Sequence, residues 1–210
     1  MPKESLIQSL IDDGYLKTPA IIEAFRKIDR ANFVPEEQKD EAYGNYPLPI
    51  GFGQTISQPL TVAFMLELLE PKSGEKILDV GTGSGWQAAL LAHIVGDEGK
   101  VIAVERIAEL FMFAGKNLGK YDFLGKGTIK IINADGSGGY KVEAPFDKII
   151  AAASAEKIPE AWKEQLKIGG RIVAPVKESI LVLDKKGPGE FEGRRYFGFS
   201  FVPLIIGNQS

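Results

Sequence analysis

The sequence predicts an α/β fold, doubly wound around a mostly parallel sheet, with an antiparallel C-terminal edge and an N-terminal helical arm. Three observations carry that expectation. From Lys76 to Val176 strand-like apolar runs alternate with helical patterns; glycines cluster directly after the first run; and the chain closes on two strand-like runs joined by a turn too short for a crossover helix.

Each element follows from local pattern. Residues 3–29 carry apolar pairs at helical spacing, first Leu6, Ile7, Leu10 and Ile11, then Ile21, Ile22, Phe25 and Ile28. Asp13-Gly14 interrupts them and Thr18-Pro19 restarts them, so two short amphipathic helices are expected. Between Ala31 and Gly53, three prolines and three glycines among aromatics predict irregular structure with one helical turn at 35–40. That stretch reads as an ordered arm, because Phe33, Tyr43, Tyr46 and Phe52 call for burial. Pro59 opens a helix with Val62, Met65, Leu66 and Leu69 on one face, and Pro71-Lys-Ser-Gly74 ends it.

Strands are expected at 76–80, 100–104, 128–132, 146–151 and 171–176, with the clearest helix between them carrying Ile107, Leu110, Phe111, Ala114 and Leu118. The tail predicts strands at 179–184 and 196–202 joined by Lys185-Lys-Gly-Pro-Gly-Glu190, an antiparallel hairpin at the sheet edge. No internal repeat or linker divides the chain. One domain over 1–210 is expected: an arm at 1–58, a cofactor-binding core at 59–176 and C-terminal strands at 177–210.

Composition narrows the function classes. With 210 residues, 44% of them hydrophobic, the chain is long enough for a sizeable core. A net charge of −3 and a pI near 5.4 offer no general attraction to phosphate backbones, so nucleic acid is a poor partner. Absence of cysteine removes disulfides, thiolate metal sites and thiol nucleophiles. The lone His93 shares an apolar helical stripe with Trp86, Ala89 and Leu90 and reads as a packing residue; no metal site is expected. No apolar run approaches the length of a membrane span, and a soluble, cytoplasmic, monomeric protein is expected.

Chemistry concentrates in two loops one helix apart. Lys76-Ile-Leu-Asp-Val80 runs into Gly81-Thr-Gly-Ser-Gly85 and then a helix, so Gly81, Gly83 and Gly85, with Ser84 between them, sit where a strand turns sharply and a ligand can approach the backbone. The dinucleotide fingerprint would need its third glycine at Trp86; here it falls one residue early, which disfavours a nicotinamide dehydrogenase. Asp79 precedes the loop. Glu105 closes the next strand, twenty residues beyond Gly85, where an acid accepts from ribose hydroxyls, and Asp135-Gly136 after the third strand is placed to meet an adenine edge. Each also has a bland reading: a tight turn, a first-turn helix acid, an ordinary turn pair.

In combination these residues resemble the Rossmann-like, S-adenosylmethionine-dependent methyltransferases. The resemblance implies that Asp79 faces the methionine part of the cofactor, Glu105 the ribose and Asp135 the adenine amino group, with S-adenosylhomocysteine as product. A narrower resemblance rests on Ala42-Tyr-Gly-Asn-Tyr-Pro-Leu-Pro-Ile-Gly51, Gly53-Gln-Thr-Ile-Ser-Gln-Pro59, Gln165-Leu-Lys-Ile-Gly-Gly170 with Pro175-Val176, and Phe201-Val-Pro-Leu204. In order and over nearly the whole chain, these are similar to the protein-L-isoaspartate O-methyltransferases. That family methylates the free carboxylate of L-isoaspartyl residues in damaged proteins and peptides, and the ester then breaks down through a succinimide in a repair cycle.

The family resemblance assigns catalysis to Ser57 and places Gln54, Thr55, Ile56 and Ser57 along the cofactor. Ser57 could instead cap the following helix; Pro59 at the first helical position would make Gln58 the boundary and leave the serine hydroxyl free. Two departures stand out. Gly44 replaces an acid often found two places after the family's alanine, and Ala151-Ala-Ala-Ser-Ala155 replaces an Ala-Ala-Pro segment while keeping side chains small. A methyltransferase acting on a different small-molecule or protein carboxylate is the alternative acceptor, and a cofactor-binding module without catalysis the alternative class.

Overall fold

The computed structural model describes residues 2–207. Helix α1 (Lys3–Asp12) and helix α2 (Pro19–Lys27) form the arm, α1 burying Leu6, Ile7 and Leu10 and α2 burying Ile21 and Phe25, with Ile11 and Ile22 half-buried. Two short 3-10 turns follow, and then a two-stranded antiparallel hairpin, β1 (Leu48–Gly51) and β2 (Gln54–Ile56). The sequence reads this stretch as irregular, because Pro47 and Pro49 mask the alternation by which Leu48, Ile50 and Ile56 reach the core. The aromatic expectation divides: Phe33 is buried and Tyr43 half-buried, but Tyr46 and Phe52 are exposed, Phe52 in left-handed backbone at the hairpin tip.

Helix α3 (Pro59–Leu69) precedes the alternating region: β3 (Lys76–Val80), α4 (Trp86–Val95), β4 (Lys100–Glu105), α5 (Ala108–Leu118), β5 (Ile129–Asn133), β6 (Phe146–Ala151), α6 (Glu160–Gln165) and β7 (Leu166–Val176). The antiparallel pair β8 (Ser179–Gly187) and β9 (Glu190–Phe197) completes a seven-stranded sheet in the order β5-β4-β3-β6-β7-β8-β9. Chain order therefore runs outward from β3 through β4 to β5 and returns beside β3 at β6. The carboxyl ends of β3 and β6 meet at that reversal, which is where open α/β sheets hold ligands.

Strand alternation builds two cores. Ile77, Val101, Ala103 and Ile150 face one side with α1 to α5, while Leu78, Val80, Ile102, Val104 and Ile149 face the other with Trp162. Helix α4 is buried on nearly every side, packed between the sheet and α2, with Trp86 edge-on to Phe25 at 5.5 Å.

Two boundaries differ from expectation. β7 begins at Leu166, five residues before Arg171, in a stretch whose glycines and exposed Lys167 and Ile168 hide it. The last strand spans Glu190–Phe197, joined to β8 by a tight turn at Pro188-Gly189, and residues 198–207 form no strand of the sheet. They fold back instead: Ser154 N–H donates to the Val202 carbonyl (2.8 Å) and Leu204 N–H to the Ser154 carbonyl (2.7 Å), drawing the tail across the carboxyl edge of the sheet. Lys185 is not a solvated turn residue either; its ammonium donates to the carbonyls of Lys163 and Leu166, each at 2.7 Å. Among the described residues no helix is long and apolar enough to cross a membrane.

Candidate functional site

Where β3 ends, Gly81, Gly83 and Gly85 all take positive φ. They divide the labour. Gly81 and Gly83 lie on the cleft wall, and a Cβ on Gly83 would stand 3.3 Å from Ile50 Cδ1, so a side chain there would crowd the gap between loop and hairpin. A Cβ on Gly85 would instead meet Leu118 Cγ at 3.1 Å; this glycine serves the packing of α4 on α5 and lines no cleft.

Asp79 lies beneath the loop. Its carboxyl group is fully buried and accepts from the Thr82 hydroxyl and from Gln87 Nε2 (2.7 Å). Burial pushes its pKa up to about 6, against the pull of those two hydrogen bonds. The side chain is walled from the cleft, so the structure brings Asp79 to the loop it braces and not to the cleft itself.

Glu105 is buried at the end of β4 and accepts from Gly83 N–H (2.8 Å) with one oxygen and from Ile107 N–H (2.9 Å) with the other. One carboxylate thus ties the glycine loop to the start of α5 and satisfies an otherwise free donor at that helix end. Asp135 accepts from Ser137 N–H and Gly207 N–H, both at 2.8 Å. Its partial burial raises the carboxyl pKa, but the two backbone bonds outweigh this and hold it below the usual range. Gly136 seats the turn close against β3, where a Cβ would lie 2.6 Å from Val80 Cγ1, and Trp162 Nε1 donates to its carbonyl (2.9 Å).

These groups converge. Gln54, Thr55, Gly81, Gly83, Glu105, Asp135 and Gly136 border one open cleft, whose empty space with open solvent included is about 680 Å³. Ile107 just before α5, Leu110 within it and the tail residues Val202, Pro203, Leu204 and Ile205 supply its apolar walls. An adjoining hollow is bordered by Thr55, Ile56, Ser57, Gly81, Gly83 and Ser84, with Trp86 and Gln87. The Trp86 indole N–H is buried without a partner. Ser57 and Thr55 also border a second open cavity with Pro47, Thr61, Ala152 and Phe201.

The serine strip is held through its backbone. Helix α3 takes Gln58 as its boundary residue with no side-chain cap, so Ser57 does not serve as the cap. The Ser57 carbonyl accepts from Arg30 Nη2 (3.1 Å), Gln58 Nε2 donates to the Asn45 carbonyl (2.9 Å), and Leu60 N–H donates to Asn45 Oδ1 (3.0 Å). At Gly44 a Cβ would sit 2.4 Å from the Tyr46 ring, whose hydroxyl donates to Glu41 (2.8 Å); the aromatic ring fills the space a side chain at 44 would need.

Sequence reasoning misses Arg30, the Thr82 and Gln87 props and the tail strap. Thr82 and Gln87 are legible in retrospect, since a buried acid at the end of a central strand requires polar partners nearby. The strap carries no signal beyond the Phe201-Val-Pro-Leu204 resemblance, because its contacts are with residues some fifty positions away. Among the described residues no group of three or more His, Asp or Glu gathers in metal-ligating geometry.

Comparison with known proteins finds relatives over nearly the whole chain. The family profile of Protein-L-isoaspartate(D-aspartate) O-methyltransferase (PCMT) matches residues 1–209. A Methanopyrus kandleri protein named protein-L-isoaspartate O-methyltransferase is 46% identical over 209 residues, covering 97% of this chain and 91% of its own length. One of the same name from Ignicoccus hospitalis is 45% identical, covering 97% of each. A solved structure described as a candidate protein-L-isoaspartate O-methyltransferase from Plasmodium falciparum, in complex with S-adenosyl-L-homocysteine, superposes with a TM-score of 0.88 at 26% identity, covering 98% of this chain and 99% of that one.

Proposed function

The chain belongs to the protein-L-isoaspartate(D-aspartate) O-methyltransferase family, and on that premise we propose how its cleft transfers a methyl group from S-adenosylmethionine to the free carboxylate of L-isoaspartyl residues. The residues present fit such a cofactor. Two carboxylates, Glu105 and Asp135, stand ready to accept from hydroxyl and amino groups, Ile107 and Leu110 offer apolar surface for a flat ring, and Gly81 and Gly83 leave the backbone open. When bound, S-adenosylmethionine supplies a methyl group already activated on a sulfonium.

In this reading Glu105 holds the ribose and Asp135 the adenine edge, while Gln54, Thr55, Ile56 and Ser57 close over the methyl-bearing end with Gly81, Gly83 and Ser84 opposite. Asp79 acts at one remove, bracing the loop through Thr82 and Gln87. Gly85 lets α4 pack on α5 and so fixes where the loop ends.

The acceptor carboxylate is ionised at neutral pH and needs no general base. What it needs is alignment, and holding two reactants in line is worth about 7–11 kcal/mol in well-oriented systems. Ser57 is the catalytic residue in this reading: its hydroxyl orients the acceptor carboxylate, and the small side chains of Ala152 and Ala153 leave room for a peptide backbone. The chain acts as one unit and as a monomer in the cytoplasm, with damaged polypeptides as its partners. Its net charge of −3 argues against nucleic acid.

The observation that carries the reading is the meeting of Ser57, Gly81, Gly83 and Ser84 on the walls of one hollow. Incubation with methyl-labelled donor and an isoaspartyl peptide beside its normal aspartyl twin tests it. Label in the isoaspartyl peptide alone is expected; equal labelling of both would point to a different carboxylate acceptor, and label in neither would overturn the reading.

A further inference from the structure

Arg30 stands outside both loops, bonded to the serine strip and set against the residue that follows the glycine loop. It is buried, and all four of its hydrogen bonds go to backbone carbonyls: Ala42 (2.7 Å), Gly44 (3.3 Å), Tyr46 (3.1 Å) and Ser57 (3.1 Å). Its guanidinium lies 5.3 Å from the centroid of the Trp86 ring, and Trp86 is the first residue of α4 after the glycine loop. Desolvation lowers its pKa to about 10, which still leaves it charged at neutral pH. Burying a guanidinium against carbonyls alone is costly, and an apolar side chain of the same volume would leave all four carbonyls unpaired.

Two nitrogens of a rigid fork do what no apolar side chain could. Nη1 gathers the Ala42 and Gly44 carbonyls, Nη2 binds Tyr46 and Ser57, and the planar face rests on Trp86. The serine strip, the arm loop at 42–46 and the loop-to-helix junction are thereby set at fixed distances from one another. We propose that Arg30 is the positioning residue that registers Ser57 over the glycine loop, so that the methyl transfer depends on it although it touches neither reactant. The proposal rests on the Ser57 reading above and names what holds that serine in place.

The test compares wild type with Arg30→Ala and Arg30→Lys in methyl transfer to an isoaspartyl peptide, in S-adenosylhomocysteine binding, and in amide hydrogen exchange. Misplacing a reacting group by an ångström costs about 100-fold, so Arg30→Ala is expected to lose about that factor in kcat while S-adenosylhomocysteine affinity changes by less than about threefold. Added guanidinium ion should restore part of the lost kcat in Arg30→Ala, a recovery that general loosening of the fold would not show. Lysine offers one ammonium in place of a fork. Arg30→Lys should therefore also fall in kcat, with faster exchange at 54–58 and unchanged exchange at 86–95.

Wild-type kcat in either variant would overturn the proposal. So would kcat and S-adenosylhomocysteine affinity falling in equal proportion, or exchange rising as much at 86–95 as at 54–58. Should Arg30→Ala fail to fold, Arg30→Lys decides alone by the same criteria. If wild type itself labels no isoaspartyl peptide, the functional reading fails, and the exchange pattern still decides whether Arg30 registers the strip.

Discussion

On the glycine-loop side of the cleft the polar groups are answered from within the α/β core: Asp79 by Thr82 and Gln87, three and eight residues on, and Gly83 by Glu105 of the adjoining strand. On the serine side the Ser57 carbonyl is answered by Arg30, 27 residues back, and Asn45 meets Gln58 and Leu60 across 13 and 15 residues. The first wall is braced by side chains of the loop itself and of the strand and helix beside it. The second is suspended from outside, by its backbone. A site that must hold a small cofactor and meet a polypeptide acceptor gains from that division, because the arm can set the serine wall in register over the braced one.

The comparison is broken most severely by removing the brace. Glu105→Ala takes away the acceptor for two backbone donors at once as well as a cleft-facing carboxylate. A loss of about 3 kcal/mol, or roughly 100-fold, in S-adenosylhomocysteine affinity is expected by titration calorimetry.

Asp79 should show itself through pH. Its folded pKa of about 6 lies above the ordinary carboxyl value near 4, so the folded state holds the proton more tightly than the unfolded chain. Its contribution to stability is then fully present below about pH 4, is lost as pH rises to about 6, and stays level above, a change on the order of 3 kcal/mol. Denaturant unfolding of Asp79→Asn across that window should be flatter than wild type by this amount; identical curves would remove Asp79 as a buried, titrating brace.

Gly85→Ala puts a Cβ at a φ of +95° and 3.1 Å from Leu118, and should lower stability by about 2 kcal/mol in thermal unfolding. The smallest effect on binding belongs to the suspended wall. Ser57→Ala should leave S-adenosylhomocysteine affinity nearly intact and lower turnover about tenfold, as loss of one orienting hydroxyl contact worth about 1.4 kcal/mol would. Unchanged turnover would remove Ser57 from the mechanism.

The same division explains what was legible in the sequence. β3 and β6 lie where their apolar runs put them, at Lys76–Val80 and Phe146–Ala151, because strands buried on both faces announce themselves locally. β9 gives no such signal: Glu190, Glu192, Arg194 and Arg195 are exposed along its length, and its pairing with β8 alone makes it a strand. The fold-back of residues 198–207 depends on partners distant in the chain, while the hairpin of β1 and β2 is local and is masked by Pro47 and Pro49. Asp79 is legible from its place at the end of a strand, just before the glycine loop, but its partners, and hence its orientation away from the cleft, are tertiary facts. Arg30 was invisible, since nothing local distinguishes an arginine that will bind four carbonyls from one that will meet solvent.

The most direct measurement is a crystal structure of the chain with S-adenosylhomocysteine and an isoaspartyl peptide bound together. The cofactor product should rest on Gly81 and Gly83 with its ribose at Glu105, and the peptide carboxylate should lie within hydrogen-bond reach of the Ser57 hydroxyl, on the side facing the sulfur. A complex in which residues 54–57 turn away from the ligand, or the carboxylate binds elsewhere, would contradict the account.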